Sequence, residues 1–73
     1  MRFPAPIKLG PTTTRWRLSD LEQYEAEAAG DPAPARRNAE DERYLAVKAV
    51  AARYGTHVAT VWRWVQYAQE TAA

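Results

Sequence analysis

The chain has 73 residues, no cysteine and a net charge of +1, which limits it to one small domain without disulfide bonds or zinc–thiolate sites. No apolar run approaches the ~20 residues of a membrane-spanning helix, so we expect a cytoplasmic protein without membrane contact. Residues 1–17 carry +4, residues 18–42 carry −6 and residues 43–73 carry +3. Two basic ends around an acidic middle suggest an anionic partner, although solvated surface charge would give the same pattern.

The first predicted element is a β-hairpin. Residues 7–9 and 14–18 alternate apolar and polar side chains, and Gly10-Pro11 between them is a turn sequence. Because side chains alternate along a strand, the hairpin is predicted to have an apolar face and a cationic face. The apolar face would carry Ile7, Leu9, Trp16 and Leu18. The cationic face would carry Lys8, Arg15 and Arg17. The preceding Phe3, Pro4 and Pro6 are interpreted as a rigid entry to the first strand.

A helix and a linker are predicted next. Ser19 followed by Glu22 three positions later is the pattern of a capping box, and Gly30 is the expected end of this helix. Residues 30–42, GDPAPARRNAEDE, contain two prolines, no large apolar residue and many charges. We therefore predict a linker there, and we interpret Arg36 and Arg37 as charges that keep the linker soluble rather than as a binding contact.

Two further helices are predicted after the linker. Val47, Val50, Ala51 and Tyr54 fall on one helical face, and the same spacing returns after Gly55. The second set is Val61, Trp64, Val65 and Ala68. Two helices joined by a three-residue turn that contains glycine form the pattern of a helix-turn-helix. Trp16 and Trp64 are predicted to lie in the core.

Both halves of the chain resemble parts of one family. YLAVKAVAARYGTHVATVWRWVQ resembles the helix-turn-helix of AlpA-type phage regulators and excisionases, and RFPAPIKLGPTTTRWRLSDLEQY resembles the wing and the helix that follow it there. The family has the wing second, whereas this chain has it first. The resemblance implies a MerR-like winged helix-turn-helix in circularly permuted order, an α+β fold with a β-hairpin wing and three helices. It also implies that Met1 and Ala73 lie close together.

In this interpretation the chain is a single DNA-binding domain over residues 1–73. Residues 1–29 form the wing hairpin and a helix, residues 30–42 the linker, and residues 43–73 the helix-turn-helix. The resemblance implies a DNA-binding accessory protein of a phage or mobile element, either an excisionase-like recombination directionality factor or an AlpA-like transcriptional regulator. Its expected partners are double-stranded DNA, an integrase or recombinase, and further copies of the chain that associate cooperatively on DNA.

The candidate DNA-binding residues come from the last helix and the hairpin. The last helix would enter the major groove, with Arg63 reading guanine or binding a phosphate and Gln66 reading adenine. The basic hairpin would bind the adjoining backbone. The full candidate set is Thr60, Trp62, Arg63, Gln66, Lys8, Arg15 and Arg17. As alternatives, Arg63 is a solvated surface residue, and Trp62 covers the core or a protein interface. The residues that begin the helix, His57, Val58 and Ala59, offer little for base readout and favour recognition of DNA shape.

The rival interpretation is a protein-interaction module. The hairpin of one chain would then pack on the helices of the next, giving a swapped oligomer without direct DNA readout. An enzyme is not expected, because His57 is the sole histidine, cysteine is absent and the acids lack metal-site spacing. We therefore predict no catalytic residue, no metal site and no cofactor.

Overall fold

The computed structural model describes residues 2–70. In chain order its elements are β1 (Ile7–Lys8), β2 (Thr14–Arg17), α1 (Leu18–Ala29), β3 (Tyr44–Leu45), α2 (Val47–Arg53) and α3 (Val58–Glu70). β2 is the central strand of a three-stranded sheet and pairs antiparallel with both β1 and β3. The described chain is therefore a small α+β protein, as predicted.

The third strand was not predicted from the sequence. Tyr44 and Leu45 lie opposite Arg17 and Trp16 on β2, and the Leu18 N–H donates to the Arg43 carbonyl over 2.8 Å. A two-residue strand has no alternation to recognise, and its pairing depends on a partner that lies far away in the sequence. This pairing returns the chain to the sheet just before α2 begins.

The register of the hairpin decides on which face each basic side chain projects. Ile7 lies opposite Arg15, and Lys8 lies opposite Thr14. Directly opposed residues project from the same face of a sheet. Lys8 therefore projects on the side of Thr14 and, by alternation along β2, of Trp16.

The predicted division of the hairpin into an apolar and a cationic face is wrong. Lys8 shares the face of the buried Trp16, whereas Arg15 and Arg17 project from the opposite face. Leu9, expected on the apolar face, is 56% exposed. Alternation holds within each strand, but the loop sets the relative register, and a slip of one residue exchanges the faces of a strand.

The core forms between the inner face of the sheet and the three helices. Its fully buried large side chains come from β2, α1, α2 and α3, and they are Trp16, Leu21, Val50 and Val61. The Trp16 indole N–H donates to the Pro4 carbonyl over 3.0 Å, so the buried ring keeps a hydrogen bond. Trp16 is a core residue as predicted, and Trp64 is half-buried against the same cluster.

Phe3 belongs to this core, contrary to the interpretation of the N-terminal segment as a rigid entry only. Its side chain is buried. Its ring centroid lies 5.1 Å from that of Tyr24, 6.1 Å from that of Tyr54 and 5.4 Å from that of Trp64. The segment thereby contacts all three helices. The prolines around Phe3 concealed this, because no periodic pattern extends through them.

The predicted capping box at the start of α1 is also wrong. Arg17 is the N-cap and makes no side-chain cap hydrogen bond. The Ser19 hydroxyl and N–H instead donate to the two carboxylate oxygens of Glu42, over 2.6 and 3.1 Å. Glu22 pairs with Arg37. A carboxylate from the last residue of the linker thus occupies the positive end of the helix dipole.

The glycines predicted to end the first two helices adopt the expected conformation. Gly30 has φ 77° and Gly55 has φ 63°, in the left-handed region where a side chain is strained. In α1 the N–H groups of Gly30 and Asp31 donate to the carbonyls of Glu27 and Ala26. The residues after α2 make the same pair of bonds. Each pair forms a Schellman motif at the C-terminal end of its helix.

Residues 30–42 have no helix or strand, but two arginines attach them to α1. Arg36 donates to Asp20 over 2.6 Å and to Gln23 over 3.1 Å. Arg37 donates through two nitrogens to Glu22, over 2.9 and 3.1 Å. Besides keeping the linker soluble, the two arginines therefore fix it to α1.

The hairpin packs on the helices of its own chain, and it precedes α2 and α3 in sequence. The implied proximity of Met1 and Ala73 concerns positions outside the described residues. Among the described residues, 2–5 line a cleft of about 260 Å³ together with Val65, Ala68 and Gln69 of α3. The start of the described chain thus lies beside the last turns of α3.

Candidate nucleic-acid interface

The outer face of α3 carries most of the candidate residues. The helix buries Val61, Val65 and Ala68, which are three and four residues apart and form the inner stripe. The opposite side exposes Trp62, Arg63 and Gln66, while Thr60 is half-buried near the first turn. The outward orientation predicted for Trp62, Arg63 and Gln66 is therefore present.

An open groove of about 430 Å³ separates this face of α3 from the hairpin. It is lined by Lys8 and Thr14 of the hairpin, by Trp62, Gln66 and Gln69 of α3, and by Pro6 and Val65. We call it the hairpin–α3 groove. The same register that separates Lys8 from Arg15 and Arg17 brings Lys8 beside α3. Three predicted residues, Lys8, Trp62 and Gln66, meet here.

Trp62 lines the groove and packs against another tryptophan. Its ring centroid lies 5.4 Å from that of Trp16, with the planes inclined by 53°. Trp16 is fully buried, whereas Trp62 is 41% exposed. One part of the Trp62 indole therefore covers the core, which was the alternative interpretation from the sequence. The rest of the indole is open to a ligand.

Arg15 and Arg17 form a separate cationic surface on the outer face of the sheet. Arg15 is half-buried and donates from Nη1 to the Thr14 carbonyl over 2.8 Å. Arg17 is exposed, and Tyr44 lies opposite it on β3. The structure thus divides the predicted basic residues of the hairpin between its two sides.

Three of the four acidic side chains of α1 form ion pairs with arginines from the linker and from α2. The pairs are Asp20 with Arg36, Glu22 with Arg37 and Glu25 with Arg53. Hydrogen bonds from Arg37 and Arg53 lower the pKa of Glu22 and Glu25 respectively, against the opposing effect of burial. Burial and a 2.6 Å hydrogen bond to Glu25 raise the pKa of Tyr54.

The remaining cations form no ion pair within residues 2–70. They are Arg2, Lys8, Arg15, Arg17, Arg43, Lys48 and Arg63. The arginines of the acidic middle and of α2 thus compensate the carboxylates of α1, whereas the hairpin and α3 keep their positive charge available. Of these cations, Lys8 on the hairpin and Arg63 on α3 lie on the elements that border the groove, and their charge favours an anionic ligand there.

Two polar residues of the groove were missed from the sequence. Gln69 lies three positions after Gln66 and seven after Trp62, so helical spacing alone could have placed it on the same face. Thr14 lies beside Lys8 only because of the hairpin register, which the sequence does not reveal.

Other kinds of site find little support in the described part of the chain. Over residues 2–70 no three histidine, cysteine, aspartate or glutamate side chains are grouped so that they could hold a metal ion. Within the same range, no helix has the length and apolar character needed to cross a membrane. Comparisons with models of known protein families, with curated proteins and with solved structures find no match.

Proposed function

We propose that this chain binds double-stranded DNA as a small winged helix-turn-helix in permuted order. The observation that carries the proposal is the meeting of Lys8 with the exposed face of α3, where Arg63 has no ion-pair partner within residues 2–70. In this proposal α2 and α3 form the helix-turn-helix, and β1 and β2 form the wing. The sequence resemblance to AlpA-type regulators and excisionases supports a role in recombination or transcription of a mobile element.

The mechanism assigns α3 to the major groove. Its 13 residues span ~20 Å, and the major groove admits a helix and presents a full pattern of donors and acceptors. Arg63 would bind guanine or a phosphate, Gln66 would bind adenine, and Thr60 would donate to the backbone. Lys8 would bind the phosphates at the edge of the same groove.

The two faces of the hairpin suit different phosphates. Lys8 would bind phosphates beside α3, and Arg15 and Arg17 on the outer face of the sheet would bind those of an adjoining stretch of backbone. Such contacts position the protein without reading sequence. Because His57, Val58 and Ala59 offer few base contacts, the proposed recognition relies on DNA shape and on several copies binding together.

Duplex binding measured at about 50 and 200 mM salt tests this proposal. Affinity should fall steeply with salt, because each phosphate contact contributes about 0.9 to the slope of log K against log salt concentration. Replacing Lys8 and Arg63 together by alanine should therefore reduce that slope by about 2.

The matched control replaces Arg36 and Arg37 by alanine, which changes the net charge equally at residues that pair with α1. This control should keep a steeper slope than the Lys8 and Arg63 variant. Equal loss in both variants would contradict the assigned surface. A feeble interaction that is insensitive to salt would favour the protein-interaction module instead.

A further inference from the structure

We propose that the hairpin–α3 groove binds one unpaired base of a DNA strand, stacked on Trp62. This inference rests on the proposed DNA-binding function and specifies which form of DNA the protein prefers. Paired bases of an intact duplex lie inside the stack and expose only their edges. A base that has left the stack exposes its ring face as well, and the groove offers a partner for each part of such a nucleotide.

The ring partner is Trp62. Its indole is 41% exposed, although it rests against a fully buried tryptophan ring 5.4 Å away. That buried ring is itself fixed by the 3.0 Å hydrogen bond from its indole nitrogen to the Pro4 carbonyl. Trp62 is therefore a supported aromatic surface, and bases of any identity stack on such surfaces.

The polar partners surround this ring. Gln66 and Gln69 follow Trp62 at four and seven positions along α3, and both line the groove. Each amide offers donors and an acceptor, the groups that pair with the edge of a base. Lys8 and Thr14 line the other side, where an ammonium group and a hydroxyl suit a phosphate. The volume of about 430 Å³ lies in the usual range for small-molecule sites.

The free-energy balance favours a base that is already unpaired. Stacking on an aromatic side chain typically improves binding by about a factor of ten or more per base. Extracting a paired base from a duplex costs a comparable amount, and this cost is smallest for a mismatched or unpaired base. A bulged or mispaired site should therefore bind more tightly than a fully paired one.

The test compares three short duplexes of the same sequence by fluorescence anisotropy with the full chain. One is fully paired, one carries a single bulged adenine, and one carries an abasic nucleotide at the bulge. The bulged adenine should bind about tenfold more tightly than the paired duplex. The abasic bulge bends the DNA without offering a ring, so it should bind like the paired duplex.

Variants locate the effect. Trp62→Leu should reduce the ratio of the two affinities to about one, whereas Tyr44→Leu, an exposed aromatic on β3, should keep it. Because Trp62 also covers the core, Gln69→Ala provides a second variant at an exposed position. It should lower the ratio severalfold with an unchanged circular dichroism spectrum.

Three results would overturn the inference. Equal, salt-dependent binding of the paired and bulged duplexes would contradict it while leaving the proposed function intact. A preference that survives both Trp62→Leu and Gln69→Ala would place the unpaired base elsewhere. No binding to any duplex would overturn both proposals together.

Discussion

At the scale of single residues, Phe3 connects the N-terminal segment to the rest of the molecule. Its buried ring contacts Tyr24 of α1, Tyr54 directly after α2 and Trp64 of α3. A chain of 73 residues has a free energy of unfolding of only about 4–11 kcal/mol. One aromatic side chain is therefore a large part of what holds the fold together.

We predict that Phe3→Ala lowers the free energy of unfolding by about 3–5 kcal/mol, because it removes a buried ring and leaves a cavity. Urea unfolding followed by circular dichroism measures this change. The matched control is Leu9→Ala, an apolar residue of the same segment that is 56% exposed, and its cost should stay within about 0.5 kcal/mol. Equal effects of the two substitutions would refute the assignment of Phe3 to the core.

Glu42 gives the fold a dependence on pH. Burial opposes its charge, but hydrogen bonds from Ser19 and from the Arg43 N–H outweigh this and lower the pKa of Glu42 below its ordinary 4.5. Folding therefore favours the ionised form. The stability that Glu42 contributes is complete above about pH 4.5 and is lost as the pH falls through the lowered value.

We expect Glu42→Gln to cost about 1 kcal/mol of unfolding free energy at pH 7, the usual loss for a helix cap. The same substitution should make the loss of stability below pH 4.5 shallower than in the original chain. Glu40→Gln, at an exposed neighbouring position, is the control and should change neither quantity. Chemical denaturation at a series of pH values distinguishes the two variants.

At the scale of the elements, the positions of the helices were predictable because their information is local. The apolar spacing in α2 and α3 identifies Val50, Val61 and Val65 as buried, and Gly30 and Gly55 mark where α1 and α2 end. The strand register, the pairing of β3 and the cap supplied by Glu42 could not be predicted. Each of these contacts joins segments on the two sides of a loop, so no local sequence pattern predicts the contact.

Gly55→Ala tests the turn between α2 and α3. Gly55 has φ 63°, so a side chain there should destabilise the fold by about 1 kcal/mol. Gly10→Ala is the matched control, because its added Cβ would meet Thr13 at an ordinary 3.6 Å. Thermal unfolding measures the effect. Gly55→Ala should have a lower melting temperature than the original chain, and Gly10→Ala should have nearly the same one. Equal shifts would contradict the role of the left-handed turn.

The part of the candidate site on α3 could be predicted from the sequence, whereas the part on the hairpin could not. The outward face of α3 follows from helical periodicity, so the exposure of Trp62, Arg63 and Gln66 could be predicted. The position of Lys8 beside this face depends on the hairpin register and was assigned to the wrong side. In the structure Lys8 lines the hairpin–α3 groove, and Arg15 and Arg17 project from the outer face of the sheet.

At the scale of the whole molecule, the ion pairs are concentrated around α1. Arg36, Arg37 and Arg53 pair with the carboxylates of α1, whereas no cation of the hairpin or α3 forms an ion pair within residues 2–70. Two of these unpaired cations, Lys8 and Arg63, lie on the elements that also expose Trp62 and two glutamines, whereas Arg15 and Arg17 project from the outer face of the sheet. The proposed function follows from this coincidence of charge and shape.

The most direct test of the account is a map of amide chemical shifts while duplex DNA is added to the isotope-labelled chain. We predict the largest changes at Lys8, Arg63 and Gln66, with little change along the acidic side of α1 around Glu22. Changes concentrated on α1 and the linker, or no changes at any DNA concentration, would contradict it.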